Sequence, residues 1–403
     1  MAAVGRRAFL AGCAGIGLGA VSASLPVTRE EVRRLSNEMP LAPSAGILVL
    51  VTLYGGNDGI NTLIPYTNNA YQDSRPELAY SAEDVIDLDG EYGFNPGLKG
   101  LGELFDDGSL AVVRGVGYPE QDRSHFRSMD IWQTASTDNG VSTGWIGRWL
   151  DLKAPNPLRA ISVGSALPTL AIGSQRTAAT LSPDSLASIT DNSDLMSELG
   201  EPDPEDTEAM VSVRDSYSSA ANVSRQFDGI INRADKPQTA NIFNVNTISG
   251  QLNIVSRCIR AGLPTQVYCV SLDGFDTHAN EKTAQEKLLR AFDRSLTKFL
   301  KEISGAPRGK NVVVMAYSEF GRRVAANASD GTDHGTSGPV FVAGAPVRGG
   351  FYGDNPSLTD LTHGDLKTTT DFRDLYGELL ATTLAVDPAS IIGGKRKPIG
   401  FLS

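Results

Sequence analysis

Six short apolar runs, rich in β-branched residues, constrain the fold of this chain more than any other feature. They cover residues 46–53 (GILVLVTL), 110–117, 159–164, 265–272, 311–317 and 338–343. Each has strand length and a near-continuous apolar character, which is the mark of strands buried on both faces. Amphipathic helical patterns lie between some of them. Residues 284–303 put Leu288, Leu289, Phe292, Leu296, Phe299, Leu300 and Ile303 on one face, with Lys287, Arg290, Asp293, Arg294 and Lys301 opposite. A second helix is expected over 248–259, closed by Gly262 and Pro264, and a third over 371–385 with Asp371 as N-cap. Strands alternating with helices predict an α/β fold: a doubly wound, mainly parallel sheet with helices on both faces.

Open sheets of this kind bind ligands beyond the carboxyl ends of their strands. The chain has four histidines, and two stand beside an aspartate at such a boundary. DGFDTH (273–278) directly follows the run 265–272, so Asp276 and His278 can converge on one cation. His334, in TDHGT (332–336), comes just before the run 338–343. The first run ends in YGGNDGINT (54–62), where two glycines let the chain turn and present Asp58. Asp58 there could bind a metal, although taken alone a polar turn is the plainer reading.

Two further segments carry chemistry. YPEQDRSHFRSMD (118–130) follows the run 110–117, and a helix is expected to begin near Arg123 or Ser124. Ser124 would sit where helix amides stabilise developing negative charge, with Arg127 one turn along to hold a phosphate or sulfate and His125 to assist or to bind metal. The simpler role for Ser124 is that of an N-cap. Glu319 lies just beyond the run 311–317 and could be a ligand or a base, or could pair with Arg322 or Arg323 at the surface. His363 (LTHG, 361–364) lacks a strand context and reads as a loop histidine. There is no nucleophile elbow, P-loop, zincin helix or dinucleotide fingerprint.

Charge and address narrow the function further. A formal net charge of −11 without a basic cluster excludes nucleic acid as the expected partner. RRAFL (6–10) resembles a twin-arginine export signal, and a weakly apolar, glycine-rich stretch runs to Leu25. That stretch is too short for a comfortable membrane span, and cleavage after Ala23 fits a small-x-small site. Residues 1–25 are therefore expected to be a signal read by the twin-arginine machinery, leaving a periplasmic or extracellular protein without a stable span. Residues 44–403 are expected to form one domain, with an acidic insertion near 191–215 that contains EPDPEDTE. Cys258 and Cys269, the cysteines left after cleavage, read as buried small apolar residues, although an oxidising compartment would permit a disulfide between them.

LYGGNDGINTLIPY, GVGYPEQDRSHFRSMDIW, DGFDTHANE, YSEFGRRVAANASDGTDHGTSGP and TTDFRDLYGELL together resemble the domain of unknown function 1501 family, over residues 48 to 402. That family is grouped by resemblance with the alkaline phosphatase and sulfatase superfamily, which implies a metal-dependent transfer of phosphoryl or sulfuryl groups. The resemblance places Asp58, Asp276, His278, Glu319 and His334 at metal-ligand positions and Ser124 in the region of the nucleophile, beside which His125 and Arg127 read as the other candidate catalytic residues. It implies a divalent metal (zinc, calcium or manganese) and a small-molecule or polymer ester as substrate. The sequence departs from the superfamily pattern at Glu319-Phe320, where a histidine ligand is missing, and in the spacing of Asp276 and His278. Ser124 also lacks the Cys/Ser-x-Pro-x-Arg context of formylglycine. These departures point to one metal, or to calcium or manganese with more oxygen ligands, and leave open a non-catalytic binding or assembly protein on the same fold. One shared ion would bring ring nitrogens of His278 and His334 to roughly 3–3.5 Å.

Overall fold

The computed structural model describes residues 40–156, 158–164, 167–181 and 247–402. The signal segment 1–25 and the acidic stretch 191–215 lie outside them. The described strands are β1 (Ile47–Leu53), β2 (Leu63–Ile64), β3 (Ile86–Asp87), β4 (Gly93–Phe94), β5 (Leu110–Gly117), β6 (Ala160–Val163), β7 (Ala179–Leu181), β8 (Val267–Leu272), β9 (Val312–Tyr317), β10 (Gly338–Ala343), β11 (Gly350–Tyr352) and β12 (Thr370–Asp371). The described α-helices are α1 (Asn69–Ser74), α2 (Lys99–Asp106), α3 (His125–Thr134), α4 (Trp145–Asp151), α5 (Ile248–Arg260), α6 (Glu281–Ser304), α7 (Phe372–Glu378) and α8 (Ala389–Ile392).

Nine strands form the main sheet, in the order β11-β5-β10-β9-β1-β8-β6-β7, with β12 pairing β5. β1 runs through the middle, parallel to β8 (Leu48 opposite Val267) and to β9 (Thr52 opposite Tyr317). β10 is antiparallel to both its neighbours, β9 and β5, so β5 again points the same way as β1. Every strand but β10 therefore shares one direction, and the sheet is mainly parallel as the apolar runs imply.

Strand periodicity splits the core in two. Ile47, Val49, Val51 and Leu53 of β1 join a cluster with Leu252 and Val255 of α5 and Leu289, Phe292 and Leu296 of α6. Leu48 and Leu50 point the other way, into a cluster with Trp132 of α3, Trp145 and Trp149 of α4, and Phe372 and Tyr376 of α7. Trp132 stacks on Phe372 and Tyr317, with centroids 4.5 and 4.9 Å away. Helices thus cover both faces, and β1 is buried along its whole length.

Element bounds depart from the sequence reading in three places. α6 starts at Glu281, earlier than the apolar stripe, because Asn280 turns in the left-handed region and releases the chain into the helix. The helix expected over 371–385 is α-helical only to Glu378, and residues 379–383 form a π-type turn before Ala385 reverses at φ 49°. A small antiparallel sheet, β2-β4-β3, was not anticipated, since its strands are only two residues long. Cys258 and Cys269 are unbonded and buried.

Candidate metal centre

The carboxyl ends of β1, β5, β8 and β9 open into four loops that meet above the sheet. Because β10 runs backwards, the loop from β9 to β10 (318–337) both leaves and re-enters at this edge. Gly55 and Gly56 make the approach of the first loop possible. A Cβ on Gly55 would stand 2.5 Å from the Asp276 nitrogen, and one on Gly56 would stand 2.2 Å from the Phe320 ring. Both glycines also have positive φ, at 114° and 68°.

Arg322 ties three of these loops together. Its buried guanidinium donates from Nε to the Gly56 carbonyl (2.6 Å) and from Nη1 to the Thr332 carbonyl (2.9 Å). Nη2 donates to the carbonyls of Gly55 (2.5 Å) and Phe275 (3.0 Å) and to Asp276 Oδ1 (2.7 Å). Burial alone would raise the Asp276 carboxyl. The hydrogen bond and charge of Arg322, with the histidines nearby, outweigh it and hold that carboxyl at about 2.

Three imidazoles converge on this one oxygen. Asp276 Oδ1 lies 2.9 Å from His278 Nε2, 3.1 Å from His334 Nε2 and 3.4 Å from His125 Nε2. The Nε2 atoms of His278 and His334 are themselves 3.0 Å apart. His334 Nδ1 is 2.8 Å from the Arg123 carbonyl, which can only accept, so Nδ1 carries the proton and Nε2 turns a lone pair inward. His125 Nδ1 is 2.8 Å from Glu319 Oε1, and the same logic applies. Its Nε2 is buried without a hydrogen-bond partner. The bond to Glu319 raises His125 above its usual 6.5, while burial works against it.

His125, Asp276 and His334 offer one ligand atom each within 4.8 Å, a set that could hold a metal ion. The backing of a ligand histidine by a carboxylate or carbonyl is the usual outer layer of such centres. Phe320, where the sequence pattern lacks a histidine, is buried under the cluster. Its ring centroid is 4.9 Å from those of both His125 and His334, and it packs them in place.

Not every residue singled out in the sequence reaches this cluster. Asp58 does not: it is fully buried and paired with the equally buried Arg75, whose Nη2 donates to Oδ1 at 3.1 Å. A guanidinium fills the coordination space that a metal would need. Glu319 stands behind His125, with Oε1 also taking the Gly55 N–H (2.9 Å) and Oε2 the Ser318 hydroxyl (3.0 Å). It holds the His125 ring from behind rather than reaching into the cluster itself. Arg127 turns along α3 to Asp130 Oδ2 and the Thr137 carbonyl, both at 2.5 Å, and is not directed at the histidines. Ser124 is the exposed N-cap of α3, accepting the Arg127 N–H at 3.5 Å. His363 lies in a turn between Thr362 and Asp365, outside the cluster.

Arg322 and Arg75 are the functional residues that sequence reasoning missed. An arginine three places after Glu319 reads as a surface partner of that acid, whereas Arg322 is buried and binds Asp276, 46 positions away. Arg75 has no motif of its own, and its tie to Asp58 appears only in three dimensions.

The fold and this cluster define an α/β protein with a doubly wound sheet and a histidine-carboxylate centre at its carboxyl edge. The chain belongs to the family described as protein of unknown function (DUF1501), whose model matches residues 110–400. No match is found among curated proteins. Among solved structures, the chain is similar to a protein in the alkaline phosphatase superfamily from Vibrio parahaemolyticus, at 10% identity and TM-score 0.40, covering 88% of this chain and 68% of that one. It is similar to the alkaline phosphatase of the Antarctic bacterium TAB5, at 12% identity and TM-score 0.35, over 76% and 94% of the two chains. A third is the lipoteichoic acid synthase from Listeria monocytogenes, at 10% identity and TM-score 0.36, over 93% and 80%.

Proposed function

We propose that this protein is an exported, metal-dependent hydrolase of phosphate or sulfate esters. The observation that carries the reading is the convergence of three Nε2 atoms on Asp276 Oδ1, with the tautomers of His125 and His334 set by Glu319 and Arg123. His125, His278, His334 and Asp276 would hold one divalent cation. Three imidazole nitrogens and one carboxylate suit zinc or manganese better than calcium, which prefers an all-oxygen shell. When bound, such a cation supplies Lewis-acid polarisation of the ester and a lowered pKa for an attacking water or hydroxyl.

The chain's own groups do the rest. Arg322 keeps Asp276 ionised, and Glu319 holds His125 with its proton on Nδ1. Ser124, exposed one residue before His125, is the side-chain nucleophile at the rim, with water as the alternative. The amides opening α3 stabilise charge that develops there, a role the sequence analysis expected of Arg127 as well. Export rests on the Arg6-Arg7 signal, and among the described residues no helix is long and apolar enough to cross a membrane.

Elemental analysis of natively exported protein, followed by an ester panel with and without chelator, tests the proposal. About one equivalent of zinc or manganese, turnover of at least one ester class and loss of both on chelation are expected. His334→Ala should lose the metal, and full metal content in that variant overturns the assignment. Phe320 at the place of a ligand and an Arg127 already engaged favour a second reading, a non-catalytic binding or assembly protein. Metal without turnover of any phosphate or sulfate ester would select it. Separately, an Arg6-Arg7 to Lys-Lys variant should strand the precursor in the cytoplasm.

A further inference from the structure

A cavity of about 590 Å³ opens between the segment 118–123 and the turn and strand at 362–371. That volume suits a small ligand or one unit of a polymer. We propose that it binds a hydroxyl-rich, carbohydrate-like part of the substrate, resting on the hydrolase reading above for its place in a reaction.

The wall carries five threonines: Thr336, Thr362, Thr368, Thr369 and Thr370. Such side chains offer a methyl to the C–H face of a sugar ring and a hydroxyl to its edge. Where the hydroxyl proton is already given, as by Thr336 to the Leu366 carbonyl and by Thr369 to the Asp354 carbonyl, the oxygen still accepts. Apart from the acidic Glu120, the charges on the wall are matched within the protein. Arg123 pairs with Asp365, Lys367 with Asp360, and Asp371 with Arg373. No excess of positive charge therefore greets an anion here, and the charged ester group is left to the histidine cluster. Of the apolar residues on the wall, Tyr118 and Leu366 are buried and Pro119 is exposed, so an alkyl or aryl ligand meets one exposed apolar side chain there.

Gln121 supplies the independent observation. Its Nε2 donates to the Glu319 carbonyl at 3.2 Å, and its Oε1 is buried without a hydrogen-bond partner. Thr368 Oγ1 converges on the same place. A Cβ on Gly117 would meet Gln121 Oε1 at 2.4 Å and Thr368 Oγ1 at 2.7 Å, so the glycine leaves room for both polar atoms. A buried acceptor beside a hydroxyl is the pairing that a ligand hydroxyl satisfies, and an unsatisfied buried acceptor is otherwise costly. The cavity also adjoins the cluster through the chain itself. Arg123 lines it while its carbonyl fixes His334, and Gln121 lines it while bonded to the Glu319 backbone. A ligand spanning both places would put a sugar in the cavity and its ester at the metal centre.

Saturation-transfer NMR on the full, metal-loaded protein tests this without needing turnover. The probes are glucose, galactose and N-acetylglucosamine, with benzyl alcohol as the apolar control. At least one saccharide should receive saturation and benzyl alcohol should not. Thr362→Arg, at an exposed turn that tolerates the change, should abolish the saccharide signal by filling the cavity. Thr368→Val should weaken binding about five-fold through loss of one hydrogen bond. No saccharide signal, a preference for benzyl alcohol, or a signal that survives Thr362→Arg overturns the proposal. Saccharide binding by a protein that hydrolyses no ester would instead leave the cavity assignment standing and remove the hydrolase reading.

Discussion

Glu319 and Arg123 sit behind His125 and His334 and decide which ring nitrogen each turns inward. A conservative change at Glu319 should therefore act on the cluster without entering it. Glu319→Gln is expected to weaken zinc affinity about 10–100-fold, measured by competition with a chelator, with the fold intact. Ser124 separates two roles in one experiment. As a cap with a long 3.5 Å bond, Ser124→Ala should cost only about 0.5–1 kcal/mol in urea denaturation. As the nucleophile, it should abolish turnover, so full activity in that variant assigns the attack to water. Asp276 gives a pH signature. Its carboxyl is depressed from 3.8 to about 2, so its contribution to stability is present above the unfolded value and lost as pH falls through the folded one. In metal-free protein, the stability advantage over Asp276→Asn should shrink between about pH 5 and pH 2.5. The carboxylate is half exposed, which keeps the effect small.

The strands and helices hold these residues through packing that is indifferent to the chemistry. Leu50 of β1 is 1% exposed in the cluster that joins the tryptophans of α3 and α4 to the sheet. Leu50→Ala should cost about 2–5 kcal/mol, seen as a lower urea midpoint at unchanged slope. α6 carries a different liability. Glu281, in its first turn, is buried beside Asp58, and burial with that neighbouring charge raises its carboxyl well above the usual 4.5. A raised acid binds a proton in the native state that the unfolded chain releases, so stability falls as pH climbs above 4.5 toward the folded value. Glu281→Gln should flatten that decline, and an equally steep alkaline loss in the variant would refute it. Thr332 donates to Glu281 at 2.5 Å, so the same contact steadies the loop that carries His334. At this scale most of the structure was legible. The runs 110–117 and 338–343 are strands to the residue, because β-branched apolar runs and a helical stripe are local signals.

For the whole molecule, metal and fold should be coupled. A ligand present at 100 times its dissociation constant adds about 2.7 kcal/mol to stability. Zinc or manganese in that excess should raise Tm, and His278→Ala should erase the rise. What the sequence determined by itself was the material: strand runs, the amphipathic α6, a glycine pair after β1, and acid-histidine pairs at strand boundaries. What only the tertiary structure decided was which carboxylates remain free for a cation. Asp58 and Asp276 both follow a strand, yet Arg75 takes both oxygens of one while Arg322 bonds only Oδ1 of the other, the oxygen that three histidines also face. The reversal of β10 was equally beyond the sequence, and it is what returns His334 to the edge where Asp276 and His278 emerge. Both outcomes depend on pairings between residues far apart along the chain. A local period reports which way a side chain faces, and it carries no record of the charge that will meet it there.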